Sequence, residues 1–245
     1  MSGKDYFADA DLRRNFINYL SKLIYDRRIS QIQKVLEYRT RYITVVLEDI
    51  YQSQNASAVL RTCDCLGIQD IHVIENKNKF NVNPQVVMGA SKWLSIKRYK
   101  GNQDNTLNAI TSLKADGYRI VATTPHTRNV SLEDFELTKG KFALFFGTEY
   151  SGISELVIKN ADEFVYIPMH GFTESFNISV SAAIMLYSIV TRLRCSEINY
   201  HLEEVESELL LLSWLKASTK NCHLVEKRFL SEYYYHNEKN TCHSI

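Results

Sequence analysis

The alternation of short apolar runs with amphipathic segments limits how this 245-residue chain can fold more than any other feature does. Runs rich in branched and aromatic residues, as in buried strands, are "YITVVLED", "DIHVIE", "RIVATTP", "FALFFG" and "FVYIPM". Between them lie segments with helical spacing, such as "NASAVLRTCDCLGI" and "TLNAITSLKADGY". Strands of a parallel sheet are nearly continuous in apolar residues because helices cover both faces. The pattern therefore predicts an α/β domain with a mainly parallel sheet over residues 42–195.

Helical segments flank this domain on both sides. From residue 9 to residue 38, apolar positions recur at helical spacing with no Pro or Gly between them. The last part of the chain contains "EEVESELLLLSWLKAS", in which Leu209, Leu212 and Trp214 form an apolar stripe that needs a partner surface. We therefore predict a helical N-terminal arm over 1–41 and a helical C-terminal tail over 196–245.

Several classes of protein are disfavoured by composition. No apolar run reaches the roughly 18 residues of a membrane-spanning helix, and the N-terminus has no apolar core of a secretory signal. The chain is expected to be cytoplasmic, with no membrane partner. Its cysteines complete no zinc-binding spacing, so reduced thiols and no metal are expected. Val59, Cys63 and Leu66 share one face of a predicted helix, which places Cys63 in the core.

Charge distinguishes the arm from the rest of the chain. The whole chain has a net charge of +1, whereas residues 1–42 carry nine basic and five acidic residues. A basic segment can bind phosphate, or it can be an ordinary solvated helix surface, and charge alone leaves both possibilities open. The run Lys92, Lys97, Arg98 and Lys100 is a further candidate for phosphate contact, although a solvated loop is the simpler interpretation.

Three polar clusters follow predicted strands. They are "QSQNASAVLR", "GTEYSG" and "HGFTESFN". Ligands of parallel sheets bind beyond the carboxyl ends of the strands, so the three clusters predict one shared site. The chain has no G-x-G-x-x-G, P-loop or G-x-S-x-G motif, which disfavours the nucleotide-binding and hydrolase sites built on those motifs.

Each cluster taken alone has a plain structural explanation. Asn55 is explained as a helix cap and Arg61 as a surface residue, about 200° around the helix from Val59. Arg61 could also be a substrate or phosphate clamp, because a guanidinium offers a fixed fork of donors. Asn177 would serve as a cap for the long helix that follows it.

The other clusters also leave two interpretations open. Glu149 lies between Gly147 and Gly152, at a junction where glycines allow a tight turn or the close approach of a ligand. Ser175 could cap the following helix, and Phe176 could pack in the core. An apolar floor for a flat aromatic ligand would instead account for Phe176, Ile167 and Met169 together.

Taken together and in this order, the clusters resemble a known family. "NASAVLRTCDCLGI", "ALFFGTEYSGIS" and "IPMHGFTESFNISVSAAI" resemble the three motifs of the SpoU-type RNA ribose 2′-O-methyltransferases, a branch of the SPOUT superfamily. The resemblance covers about residues 42–195. The helical arm and tail are similar to those of the subgroup that methylates guanosine 18 in the tRNA D-loop.

The resemblance implies a fold and a cofactor. It implies a deep trefoil knot in the C-terminal part of the domain, a rare exception among protein folds. It also implies a homodimer and S-adenosylmethionine bound in the knot. By position, the family's cofactor contacts fall on five residues: Thr123, Gly147, Ile167, Met169 and Phe176.

The resemblance also implies catalytic roles. Arg61 matches an Arg thought to deprotonate the ribose 2′-hydroxyl, and a phosphate clamp is an equally acceptable role because Arg is normally a permanent cation. Asn55 matches an Asn that orients this Arg or the substrate. Glu149, Ser175 and Asn177 match the remaining polar positions of the motifs. The alternatives are the same chemistry on ribosomal RNA or the tRNA wobble ribose, or a catalytically silent knotted RNA-binding protein.

Overall fold

The computed structural model describes residues 6–101, 104–124, 130–148 and 151–242. The chain divides into two compact units. The larger unit is Arg39–His201, and the smaller unit combines Met1–Tyr38 with Leu202–Ile245. Arm and tail therefore contribute to the same unit, while the division into three segments stays a prediction.

The larger unit is built on a seven-stranded sheet. Its strands are β1 (Ile43–Glu48), β2 (Asp70–Ile74), β3 (Ser95–Tyr99), β4 (Arg119–Thr123), β5 (Val130–Ser131), β6 (Phe142–Phe146) and β7 (Glu163–Tyr166). Their order across the sheet is β3-β2-β1-β6-β4-β7-β5, and each of these neighbours pairs in parallel. The prediction of a mainly parallel α/β fold is confirmed.

Helices cover both faces of the sheet. They are α3 (Ser53–Leu66), α4 (Pro84–Val87), α5 (Asn105–Ala115), α6 (Glu155–Asn160) and α7 (Ile178–Arg194). The two helices that precede them along the chain, α1 (Ala10–Ser21) and α2 (Asp26–Leu36), belong to the smaller unit. Successive side chains of β6 point to opposite faces, so Phe142 and Leu144 pack in one core and Phe145 in the other. α3 and α7 cover the first face, where Cys63 is fully buried as predicted, and α5 and α6 cover the second.

The centre of the sheet contains a topological switch point. From β1 the chain proceeds outward to β2 and β3, and it then crosses to the other side of β1 to form β4, β6 and β7. β1 and β6 are adjacent there. Loops that leave the carboxyl ends of such strands diverge and leave a crevice between them, which is the usual place for a ligand.

The run of basic residues from 92 to 100, which the sequence suggests is a solvated loop, contains a strand in the structure. It contains β3, which pairs in parallel with β2 at the edge of the sheet, so the interpretation as a loop is wrong. The charged side chains of Lys97 and Arg98 are exposed on this strand. Charged residues are typical of edge strands because they discourage pairing with another chain, and they hide the strand signal from a search for apolar runs.

The smaller unit is helical. It contains α1 (Ala10–Ser21), α2 (Asp26–Leu36), α8 (Glu204–Ser218) and α9 (Cys222–Cys242). The ring of Phe16 packs against those of Phe7 and Phe229, with centroids 4.9 and 4.8 Å away. The apolar stripe of α8 is confirmed for Leu212 and Trp214, which are buried, but is wrong for Leu209, which is exposed. None of the helices in the described residues is long and apolar enough to cross a membrane.

A buried ion pair links α1 to α8 in the smaller unit. Arg13 is almost fully buried and donates to the carboxylate of Glu208 at 2.7 and 2.9 Å and to the carbonyl of Phe7 at 2.9 Å. The hydrogen bonds from Arg14 and Arg13 hold the pKa of Glu208 below its usual value. A buried guanidinium is tolerated when its donors are satisfied in this way.

Candidate functional site

A cavity of about 520 Å³ lies at the carboxyl ends of the central strands. Its walls come from the segments after β1, β4 and β6 and from the segment that leads into α7. Six of the ten predicted site residues line it: Asn55, Thr123, Gly147, Ser175, Phe176 and Asn177. The structure therefore brings residues of all three polar clusters to one place.

The side chains of Asn177 and Asn55 connect two of these clusters. Asn177 caps α7, and its Oδ1 accepts from the backbone N–H and the hydroxyl of Ser179 at 2.8 and 2.6 Å. Its Nδ2 donates to Oδ1 of Asn55 at 3.2 Å. Asn55 is buried, and its own Nδ2 donates to Oε1 of Gln52 at 3.2 Å. The cap position of α3 is Gln52, so the alternative explanation of Asn55 as a helix cap is wrong.

A tight turn after β6 forms another wall. Thr148 and Gly152 exchange backbone hydrogen bonds of 2.8 and 3.1 Å. A Cβ atom at Gly147 would lie 2.1 Å from the carbonyl oxygen of Gly152, so only glycine fits at this position. Glu149 lies outside the described residues.

The remaining walls combine polar and apolar groups. The hydroxyl of Thr123 donates to the carbonyl of Phe145 at 2.7 Å, which ties the end of β4 to β6. Phe176 is 44% exposed beside the cavity. Ile167 packs against the core of the first face of the sheet, and Met169 is half-buried after β7. Neither Ile167 nor Met169 is among the residues that line this cavity.

Arg61 lies elsewhere on α3. It is six residues after Asn55, which places it about 240° further around the helix. Its exposed side chain borders a separate, mainly apolar groove of about 640 Å³ that Ile184 and Tyr187 of α7 also line. Within the described residues of one chain, the structure does not bring Arg61 to the cavity that Asn55 and Asn177 line.

A buried carboxylate that sequence reasoning missed supports the site. Glu48, at the end of β1, accepts hydrogen bonds from the Thr106 hydroxyl at 2.7 Å and from the backbone N–H and hydroxyl of Ser154 at 2.9 and 2.8 Å. It thereby fixes the start of α6, which Ser154 caps, against the centre of the sheet. The signal was present in "VVLED", where an acidic residue ends an apolar strand.

The cavity fits a nucleoside-containing cofactor. Its volume lies within the range of about 300–1,000 Å³ that small-molecule sites have. The side chains of Asn55, Thr123 and Ser175 offer hydrogen bonds, and Phe176 offers an apolar surface. No group of three or more potential metal ligands of the His, Cys, Asp or Glu type occurs in the part of the chain that the structure describes.

Comparison with known proteins agrees with this arrangement. Residues 42–187 match the SpoU rRNA Methylase family. The tRNA (guanosine(18)-2′-O)-methyltransferase of Borreliella burgdorferi is 49% identical over 210 residues, which are 86% of this chain and 94% of that protein. The fold and the site define an α/β protein of the SpoU type, and the chain belongs to the SpoU rRNA Methylase family.

Solved structures show the same fold. The A. aeolicus TrmH/SpoU tRNA modifying enzyme is 25% identical with a TM-score of 0.70, over 80% of this chain and 98% of that one. The SpoU methyltransferase AviRb from Streptomyces viridochromogenes, solved in complex with the cofactor AdoMet, is 22% identical with a TM-score of 0.55. That match covers 66% of this chain and 65% of that chain.

Proposed function

We propose that this chain transfers a methyl group from S-adenosylmethionine to the ribose 2′-hydroxyl of guanosine 18 in tRNA. The observation that carries the proposal is the 49% identity to the Borreliella burgdorferi tRNA (guanosine(18)-2′-O)-methyltransferase over 94% of that protein's length. The 210 matched residues are more than the larger unit, Arg39–His201, contains, so the similarity extends into the smaller unit. It therefore supports the substrate as well as the chemistry.

The cavity beside Asn177 is the proposed cofactor site. S-adenosylmethionine supplies an electrophilic methyl group when bound. Thr123, Gly147 and Phe176 line the cavity and would contact the cofactor, and the sequence resemblance adds Ile167 and Met169 from the segment after β7. That segment and the one leading into α7 belong to the region where the resemblance implies a knot, which stays a prediction.

The chain's main catalytic contribution would be alignment. Holding the hydroxyl in line with the methyl group and the sulfur makes the transfer effectively unimolecular. Asn55, Ser175 and Asn177 would position groups through hydrogen bonds, and the roles of Glu149 and Arg61 stay predictions from the resemblance. Arg61 would help the hydroxyl lose its proton or clamp a phosphate, and the second role needs no neutral guanidinium.

The proposed partners are tRNA and a second copy of the chain. An exposed apolar stripe on α7, consisting of Val180, Ile184 and Tyr187, supports the homodimer because such side chains are rarely clustered on a monomer's surface. The basic arm would add phosphate contacts, which make binding weaken as salt rises. As a tRNA enzyme the protein would act in the cytoplasm.

The proposal is tested by incubating the protein with tritiated S-adenosylmethionine and unmodified tRNA transcripts, and then mapping methylated riboses by nuclease resistance. Label at guanosine 18 is expected, and a tRNA with a 2′-deoxyguanosine at that position should accept none. Label in ribosomal RNA or at the wobble ribose of tRNA would support the ribose methylation but would show that guanosine 18 is not the substrate. RNA binding with no methyl transfer to any RNA would support a silent RNA-binding protein instead.

A further inference from the structure

A second cavity, of about 370 Å³, adjoins the proposed cofactor site. The two cavities share the turn that contains Thr148, Ser151 and Gly152 as a common wall. The opposite wall comes from the segments after β1 and β2 and includes Tyr51 and Lys77. A group bound in the second cavity would therefore lie one turn of chain away from the cofactor.

The floor of this cavity is held by Asp49. Asp49 has a φ of 54°, a left-handed conformation that Asp tolerates better than most residues. Its carboxylate accepts from the backbone N–H groups of Asn76, Lys77 and Asn78 at 2.7, 2.9 and 3.2 Å. The Asn78 amide donates back to the Asp49 carbonyl at 2.8 Å. Four hydrogen bonds thus join the two segments and make this wall rigid.

The rim of the cavity carries an exposed aromatic ring, that of Tyr51, and an exposed cation, Lys77. Tyr51 is 74% exposed although it directly follows the buried residues Asp49 and Ile50. Lys77 and Lys79 are also exposed, and no ion pair involves either of them among the residues that the structure describes. An aromatic ring on a rigid loop, next to Lys or Arg, is the arrangement by which proteins stack single-stranded bases and hold the adjoining phosphates.

The interior of the cavity suits a base better than a phosphate. Two carboxylates, Glu48 and Asp49, lie at its inner wall. Their charge repels a phosphate group, whereas a nucleobase carries no negative charge and presents N–H donors. A phosphate would instead remain at the rim, where Lys77 lies.

We propose that this cavity binds a nucleobase of the substrate RNA, next to the ribose that receives the methyl group, with Tyr51 as the stacking surface and Lys77 as a phosphate contact. The proposal rests on the RNA methyltransferase function proposed above. It assigns to the segments after β1 and β2 a role in selecting the nucleotide, because a base must leave its stack to enter the cavity. The chain would thus hold the target nucleotide at both its base and its ribose side.

Variants of Tyr51 test the stacking. Tyr51→Ala is expected to weaken tRNA binding about tenfold, within the range reported for loss of one base–aromatic stack, and to leave cofactor binding within twofold of wild type. Tyr51→Phe should bind like wild type because the ring remains. Tyr51→Leu, which keeps apolar bulk without a ring, should bind like Tyr51→Ala. Equal binding by Tyr51→Ala and wild type would overturn the proposal.

Variants of Lys77 test the phosphate contact. Lys77→Ala should lower the slope of log affinity against log salt by roughly one, whereas Tyr51→Ala should leave that slope unchanged. Lys139 provides a matched control because it lies before β6, at the amino ends of the strands and thus away from the cavity, and pairs with Glu163. Lys139→Ala should leave tRNA affinity and its salt slope unaltered. An unchanged slope in Lys77→Ala would overturn the assignment of that lysine.

The stacking can also be tested by changing the RNA, because removal of one base should have the same effect as removal of the Tyr51 ring. Transcripts made abasic at the methylated nucleotide, or at either neighbour, are bound to wild type and to Tyr51→Ala. Stacking predicts that one of the three abasic changes weakens wild type about tenfold and leaves Tyr51→Ala unaffected. The proposal would be overturned if all three abasic changes weakened binding by Tyr51→Ala as much as they weaken binding by wild type. These experiments measure RNA binding and do not require methyl transfer. A failure of the stacking proposal is therefore distinguishable from a failure of the proposed function, in which the wild-type protein methylates no RNA.

Discussion

The side-chain amide of Asn177 lies 3.2 Å from the side-chain carbonyl of Asn55, to which it donates a hydrogen bond. The two residues are 122 positions apart, one capping α7 and one in the first turn of α3. The same Asn177 side chain accepts from the backbone N–H of Ser179 with its oxygen. One amide therefore both begins a helix and holds the wall of the proposed cofactor site.

Substitutions of Asn177 should separate these two roles. Asn177→Asp keeps the capping oxygen and removes the donor to the buried Asn55 carbonyl, so the free energy of unfolding should fall by about 1–3 kcal/mol through that acceptor alone, and methyl transfer should fall at least tenfold. Asn177→Ala also loses the cap and should be less stable than Asn177→Asp by about 0.5–2 kcal/mol. Calorimetry and the tritium assay measure the two effects. Full activity in Asn177→Asp would show that the hydrogen bond to Asn55 has no part in the reaction.

Substitution of Gly147 should block the cofactor site. In Gly147→Ala the new Cβ would collide with the Gly152 carbonyl, so the turn must open and the wall it forms must move. S-adenosylmethionine binding, measured by isothermal titration calorimetry, should weaken at least tenfold. Gly171→Ala is the control because its Cβ would meet nothing closer than 3.9 Å. Wild-type affinity in Gly147→Ala would contradict the placement of the cofactor.

Arg61 should matter for transfer and not for cofactor binding. It lies outside the cavity that Asn55 and Asn177 line, so Arg61→Ala is expected to abolish methylation while cofactor affinity stays within twofold of wild type. Arg61→Lys keeps a cation without the planar fork and should recover part of the activity if the role is a phosphate clamp. Single-turnover rates and calorimetric titrations provide both readouts. Loss of cofactor binding in Arg61→Ala would contradict this role.

The apolar stripe on α7 predicts the oligomeric state. Tyr187 is 65% exposed in the middle of that stripe, so Tyr187→Glu should convert a homodimer into a monomer. Light scattering coupled to size exclusion at micromolar concentration measures the mass. Leu107→Glu is the matched control, because it places the same charge at an exposed apolar residue on α5, on the other face of the sheet. A wild-type chain of monomer mass would contradict the homodimer.

Local sequence patterns predict an element of the fold correctly where a single feature, such as an apolar run, determines its structure. The apolar runs of β1 and β6 predicted strands because both faces of a covered parallel sheet are apolar. β3 has no such apolar run, because it lies at the edge of the sheet and carries the exposed residues Lys97 and Arg98. The polar clusters that contain Asn55 and Asn177 each follow a predicted strand. Because the carboxyl ends of parallel strands lie at the same end of a sheet, the sequence predicts that the two clusters share one site.

Other features depend on contacts that no local pattern contains. The hydrogen bonds of Glu48 come from Thr106 and Ser154, which are 58 and 106 residues away. The second cavity needs Asp49 to join two segments that are separate in the sequence. Arg61 and Asn55 belong to one sequence motif, but a rotation of about 240° along one helix separates the directions of their side chains.

A buried histidine should set the response of the larger unit to acid. His72 lies in β2, almost fully buried, with Nδ1 2.9 Å from the hydroxyl of Tyr99. Burial, and then the nearby charge of Lys97, lowers the pKa of His72 from 6.5 to about 4. Between these two values the unfolded chain binds a proton that the folded chain does not. Stability is therefore unaffected above pH 6.5 and decreases as pH falls from 6.5 toward 4.

The substitution His72→Phe removes this titration and keeps a ring beside Tyr99. Wild type should lose about 2 kcal/mol of its unfolding free energy between pH 7 and pH 5 through His72, since each unit of pKa difference corresponds to about 1.4 kcal/mol. His72→Phe should lose correspondingly less over the same interval, whatever its stability at pH 7. Urea titrations at both pH values measure the difference. His170→Phe, at an exposed position, should behave like wild type, and parallel pH profiles for all three chains would contradict the role of His72.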